Sequence, residues 1–192
     1  MLCVCDVMGE WHKSKFTDLQ HGFMDVFDAL EGRRSIRAYQ DRPVSRETVE
    51  KLLQAAELAP SAGNLQSRRY VVVMCQDLRK ALALAAYGQS HISSAPVDIV
   101  VCADVRRSSR RYGDRGSLYA IQDADAAVMC MLLAAHAMGL GACWNGAFDE
   151  EMVRDILSIE EGVAPVAIIS LGWPAESPRS PGRLPPNARW EV

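Results

Sequence analysis

Several common catalytic signatures are missing from this 192-residue chain. It has no Gly-x-x-x-x-Gly-Lys-Ser/Thr, which excludes a P-loop nucleotidase, and no Gly-x-Ser-x-Gly, which excludes the α/β-hydrolase nucleophile elbow. The cluster Gly139-Leu140-Gly141 follows a helical pattern instead of a strand and lacks the third glycine of a dinucleotide fingerprint. Four histidines, at 12, 21, 91 and 136, show no metal-ligand spacing, and Cys3 and Cys5 have no second Cys/His pair to complete a site, so no metal is expected. Twenty-one basic against 24 acidic residues leave a net charge of −3, which provides no basic field for nucleic acid. No apolar run approaches the roughly 18 residues of a membrane span. The first 23 residues carry Asp6, Glu10, Lys13, Lys15 and Asp18, so no secretory segment is read there and a cytoplasmic location is expected.

What is present is ordinary globular material, 49% hydrophobic and 23% charged, at a length that suits one domain. The six cysteines read as free thiols, four of them within apolar stretches where a buried thiol serves as a small hydrophobe. Phe23, Val26, Phe27 and Leu30 recur at helical spacing before Gly32. Residues 33–39 then form a basic extended segment or loop. Ser45 is placed to cap a helix carrying Val49, Leu52, Leu53 and Ala56 on one face, ended by Pro60. Residues 70–74 read as a central strand, 77–86 as a helix, 97–102 as a second strand and 164–171 as a third. Residues 104–116 hold five arginines against two aspartates and read as a solvated loop or short helix, with a mobile cover as the functional alternative. Residues 119–138 form a helix so apolar that burial on several sides, including a subunit interface, is expected. Asp149 caps another helix, and a proline-rich tail from 174 should be extended. The expected fold is α+β, with a small central sheet flanked by helices.

Three segments carry binding chemistry. Arg33, Arg34, Ser35 and Arg37 put three guanidinium groups and a hydroxyl within five residues, a set suited to phosphate oxygens. The loop containing Pro60, Ser61, Asn64 and Gln66 offers uncharged hydrogen-bonding groups, which suit a heterocycle edge and equally a turn. Cys143, Trp144, Asn145, Gly146 and Ala147 combine an aromatic, an amide and a glycine that lets a ligand approach the backbone. Trp144 reads equally as a core residue.

In order, the chain shows R-R-S-x-R-x-Y after an amphipathic helix, A-P-S-x-x-N-x-Q, a long alanine-rich helix ending G-L-G-x-C-W, then G-W-P and a proline-rich arm. This set, spanning about residues 23–183, resembles the nitroreductase family of FMN-dependent oxidoreductases. The resemblance implies a sandwich fold, an obligate homodimer with FMN at each of two interface sites, and a single FMN-binding domain over 23–192 preceded by an extension (1–22) of open role. It implies that Arg33 and Ser35 meet the phosphate, that Arg34 contributes mainly backbone, and that Arg37 faces the flavin near N1 and O2. Pro60, Ser61, Asn64 and Gln66 would come from the partner subunit. Residues 143–147 would lie against the ring with a backbone N–H aimed at N5, Gln89 would reach the ring, and Arg183 would close on the phosphate. Family members often carry a lysine where this chain has Pro181, which shifts phosphate binding toward Arg33 and Arg183. The implied reaction takes hydride from NADH or NADPH through the flavin to a nitroaromatic, quinone or similar small-molecule acceptor in ping-pong fashion. No catalytic side chain is named, because the cofactor carries the chemistry. A reductive dehalogenase or flavin-fragmenting enzyme on the same scaffold, and a non-catalytic flavin-binding protein, are the alternatives.

Overall fold

A computed structural model describes residues 24–191. The expected extension over 1–22, Cys3, Cys5 and Phe23 lie outside the described residues.

Helix α1 (Val26–Gly32) starts at Asp25, whose carboxylate accepts the Phe27 N–H at 2.8 Å. Helix α2 (Arg46–Glu57) starts at the expected cap, with the Ser45 hydroxyl accepting the Thr48 N–H at 3.1 Å. Strand β1 (Arg68–Val73), α3 (Gln76–Ala85), the short α4 (Ser90–Ser94), β2 (Val97–Asp104), α5 (Val105–Tyr112) and α6 (Gly116–Ala137) follow. Then come β3 (Gly141–Asn145), α7 (Glu150–Leu157) and β4 (Val163–Gly172).

The four strands form one antiparallel sheet in the order β1-β2-β4-β3. Two expectations are corrected here. Residues 70–74 are not a central strand: β1 begins at Arg68 and lies at the sheet edge, and Val72 is exposed because nothing pairs beyond it. A fourth strand, β3, occupies residues read as a glycine-rich ligand segment. Its five residues carry two small positions and one polar one, too little alternation for a periodicity signal.

Residues alternate across the pleat, so each strand feeds two cores. Ile99, Val101, Ala103, Ile169 and Leu171 pack with α2 and the Ala127–Val128–Met131 stripe of α6 on one face. Val73, Val100, Cys102 and Ile168 pack with α3, Ile92 and Val153 of α7 on the other. Helices thus cover both sides of the sheet, as expected for the α+β sandwich. The helical run 105–137 is long and apolar enough to cross a membrane by length and composition, yet α6 buries its stripe against the sheet and α2. Its remaining positions are half-buried, except that Ser117, Leu118, Ile121 and Gln122 are exposed.

The basic stretch 104–116 is helix α5 plus a 3-10 turn (Gly113–Arg115). Asp104 caps it by accepting the Arg107 N–H at 2.9 Å, and Gly116 lies directly on the Ser109 backbone. Among the described cysteines all are free. Cys102 and Cys143 are buried and Cys130 half-buried, but Cys75, expected within an apolar stretch, is exposed because β1 ends at Val73.

Candidate active site

Residues 33–39 leave α1 in extended conformation and lie beside β3. Ser35 makes a parallel bridge to Ala142, the Ile36 N–H donates to Ala142 O at 3.0 Å, and Tyr39 bridges Pro174. The Tyr39 hydroxyl ties this segment to the sheet, lying 2.6 Å from Ile36 O and 3.0 Å from Ser170 Oγ. Burial raises the Tyr39 pKa, so it stays a neutral donor. Gly141 is required at this junction: a Cβ there would sit 2.7 Å from Ile36 Cγ2.

The consequence is that Arg33, Ser35 and Arg37 gather around the start of β3. Burial pushes the Cys143 thiol pKa up, while Arg37, a hydrogen bond with Ser35, and Arg33 pull it back. On the helix side, His136 has its pKa lowered first by burial and then by the cations Arg33 and Arg34. Both shifts register one positive field. Arg34 turns back to Glu31 O and Arg33 O, leaving the Arg33 and Arg37 guanidiniums without a hydrogen-bonding or ionic partner among the described residues.

Residues 143–147 divide by pleat. The Asn145 amide is spent in the interior: it donates to Ile168 O at 2.8 Å and Cys143 O at 3.2 Å, and its oxygen lies 2.7 Å from His91 Nε2. It therefore holds the segment's shape with its side chain turned inward. Cys143 is buried, so it can offer a ligand only backbone. Trp144 points the other way and is half-exposed, which removes the core reading. Gly146 faces open space, where an added Cβ would meet only Trp144 Nε1 at 3.9 Å. Gln89 joins this group by donating to Ala147 O at 3.0 Å.

The loop with Pro60, Ser61, Asn64 and Gln66 is built elsewhere. Its 3-10 turn (Ala62–Asn64) has left-handed φ at Gly63 (56°), Asn64 (53°) and Gln66 (51°), an arrangement that needs external support. Asp123 of α6 provides it, accepting the Ala62 N–H at 2.8 Å and the Ser67 N–H at 3.3 Å. Buried Arg68 adds bonds to Glu57 O at 3.0 Å, Ala59 O at 3.1 Å and Pro60 O at 3.4 Å. Asp123 and His136 mark two places on one helix, the second lying against Gly32. At 1.5 Å per residue, the loop and the arginine segment are about 20 Å apart along α6.

Arg183 is not brought to either group; its guanidinium donates to Gly182 O at 2.7 Å in the exposed arm. Four supporting residues were not singled out from sequence: Arg68, His91, Asp123 and Glu176. Glu176 accepts the Arg37 and Ala38 N–H groups. The two aspartates of the alanine-rich run 119–138, Asp123 and Asp125, were the available signal.

The sequence profile described as the nitroreductase family matches residues 30–92 and 79–173. The chain belongs to that family. A relative from Methanothermobacter thermautotrophicus, provisionally named NADH dehydrogenase/NAD(P)H nitroreductase, is 41% identical, covering 81% of this chain and 80% of its own. The oxygen-insensitive NADPH nitroreductase of Salmonella typhimurium is 33% identical over 83% of this chain and 70% of its own. Among solved structures, the NADPH:FMN oxidoreductase of Vibrio harveyi, complexed with NAD+, superposes with a TM-score of 0.78 at 28% identity, covering 87% of this chain and 79% of that one. As a nitroreductase-family member, the chain places its two unpaired guanidiniums and its open glycine at the two ends of the segment pair 33–37 and 143–147.

Proposed function

We propose that this chain, an NAD(P)H-dependent flavin oxidoreductase with FMN as its cofactor, reduces small electron-poor acceptors such as nitroaromatics and quinones by a ping-pong cycle. FMN supplies the two-electron carrier between nicotinamide and acceptor. The residues fit such a group: a phosphate requires forked cations and a hydroxyl, and Arg33, Arg37 and half-buried Ser35 lie together with the guanidiniums unspent. A planar ring requires a close, uncluttered backbone, and Gly146 faces open space beside half-exposed Trp144.

Each element then has a task. Arg33 and Ser35 hold the phosphate end. Arg37 places a cation where negative charge accumulates on reduction, which favours hydride acceptance. Gln89, through Ala147, and Asn145, through His91 and Ile168, fix the 143–147 backbone so that an N–H can hold position against the ring. No acid–base side chain is needed, so no separate catalytic residue is assigned.

The loop with Pro60, Ser61, Asn64 and Gln66 completes the site from a second copy. The separation of about 20 Å along α6 supports this, since one protomer keeps the two groups apart. Exposed Val26, Phe27, Leu30, Leu118 and Ile121 supply apolar surface for such a homodimer. Arg183 reaches the phosphate by movement of the arm, and a cytoplasmic setting suits soluble electron donors.

The observation that carries this reading is the unspent Arg33–Ser35–Arg37 cluster beside β3. Arg33→Ala should weaken FMN retention about 10- to 100-fold, the loss of a charge-assisted hydrogen-bonding group. Titration of apoprotein with FMN, followed by flavin fluorescence, measures it; unchanged affinity removes Arg33 from the site. In the intact protein, NADH or NADPH should bleach the flavin spectrum anaerobically and a quinone should restore it.

A further inference from the structure

Five arginines in 13 residues invite the reading of a solvated charge run, but their placement argues otherwise. Arg106 and Arg107 occupy the first turn of α5, where the helix dipole disfavours cations and no acidic residue shares the turn. Arg110 follows one turn on, and Arg69 reaches across from β1. With Asp104 these residues enclose a cavity of about 210 Å³.

Asp104 lines the cavity and Glu160 pairs with two of its arginines, so both carboxylates are already committed. Asp104 Oδ2 takes Arg69 Nε at 2.9 Å while its Oδ1 caps α5. Glu160 takes Arg69 on one oxygen and Arg106 Nη2 at 3.2 Å on the other. Arg107 and Arg110 have no hydrogen-bonding or ionic partner for their side chains among the described residues. Four guanidiniums against two carboxylates leave two positive charges, with the unspent ones in fork geometry. That is the complement of a dianionic phosphate.

The helix that lines the cavity also touches a loop of the proposed flavin site. The last turn of α5 lies against the 60–66 loop, where a Cβ on Gly63 would sit 3.2 Å from Arg111 Cζ. One short helix therefore carries the loop contact at its end and the unspent arginines at its start.

We propose that the cavity between α5 and β1 binds a phosphate dianion and that, in the reductase reaction proposed above, it receives the 2′-phosphate of NADPH. The assignment of the cavity as a phosphate site stands apart from the flavin reading; the choice of NADPH rests on it.

The test uses the FMN-loaded protein at fixed ionic strength. Calorimetric titrations compare adenosine 2′-monophosphate, adenosine and inorganic phosphate on wild type and on Arg107→Ala/Arg110→Ala, and kinetics give the ratio of kcat/KM for NADPH over NADH. Both arginines are exposed, so their truncation leaves the core intact. The expected result is that the 2′-monophosphate binds at least about tenfold tighter than adenosine, and that the double variant loses this advantage together with any NADPH preference, a fall of about 10- to 100-fold. Arg110→Lys, which keeps charge but not the fork, should fall between. Phosphate binding that the variant abolishes, with no change in the NADPH/NADH ratio, upholds the phosphate site and overturns NADPH as its source. Adenosine and its 2′-monophosphate binding alike, with no phosphate heat, overturns the site. A protein that never takes up FMN still reports on phosphate, which separates this failure from that of the flavin reading.

Discussion

Asp98 offers the sharpest physical test of the fold. It is the second residue of β2, opposite Val73 on one side and Ser170 on the other, with no exposed surface. Neither carboxyl oxygen has a hydrogen-bond partner among the described residues, and the nearby Arg79 spends its Nη1 on the Ser93 and Ala95 carbonyls. Burial raises the Asp98 pKa to about 9, with Arg79 pulling the other way. In the unfolded chain the same carboxyl ionises near pH 4. Between those values the unfolded state has lost a proton that the folded state keeps. Stability therefore falls as pH rises from about 4 to 9, with a limiting slope of about 1.4 kcal/mol per pH unit. Asp98→Asn keeps the shape and removes the titration. Urea unfolding at a fixed protein concentration and at pH 5, 6, 7 and 8 should show the variant gaining on wild type at each step. The ceiling is about 3 kcal/mol between pH 5 and 7. Taking differences cancels every other titrating group. A difference constant with pH would refute the reasoning, because it would mean that Asp98 is ionised in the folded protein and held by Arg79.

Two further outcomes test the site. Gly141→Ala should cost about 1–3 kcal/mol in urea unfolding, because its Cβ would press on Ile36 at 2.7 Å, and it should also loosen FMN by displacing the Ser35 segment. Brief iodoacetamide treatment at pH 8, read by peptide mass spectrometry, should label exposed Cys75 well before Cys102 and Cys143. Burial pushes the Cys102 thiol up to about 12 and raises that of Cys143.

Legibility in the sequence followed the locality of the physics. The caps at Ser45 and Asp149 and the uninterrupted strands β2 and β4 are decided by residues a few positions apart, and the sequence reading placed them within a few residues. β3 was invisible because its identity as a strand comes from pairing with β4, not from its own five residues. The edge position of β1 and the exposure of Cys75 likewise depend on what lies beside them. Within the site, the motif residues in 33–37 and 143–147 were readable, and the structure brings those segments together through Ile36 and Ala142. The residues that hold the site were not readable. Asp123 and His91 act through contacts made across more than fifty residues, and Arg68 through carbonyls eight to eleven residues away, and no motif marks them.

The docking of residues 33–39 onto the far strands has a temporal side. Tyr39 meets Ser170 across 131 residues of sequence, and Arg37 meets Glu176 across 139. Closing loops of that size is slow relative to forming hairpins and helices. A chain emerging from the ribosome in order would present Arg33, Ser35 and Arg37 early, whereas β3, β4 and the first arm residues that hold their segment come more than 100 residues later. Assembly of the cluster is thereby deferred to a nearly finished polypeptide, and fragments that stop short of β4 lack the strand and arm residues that hold it.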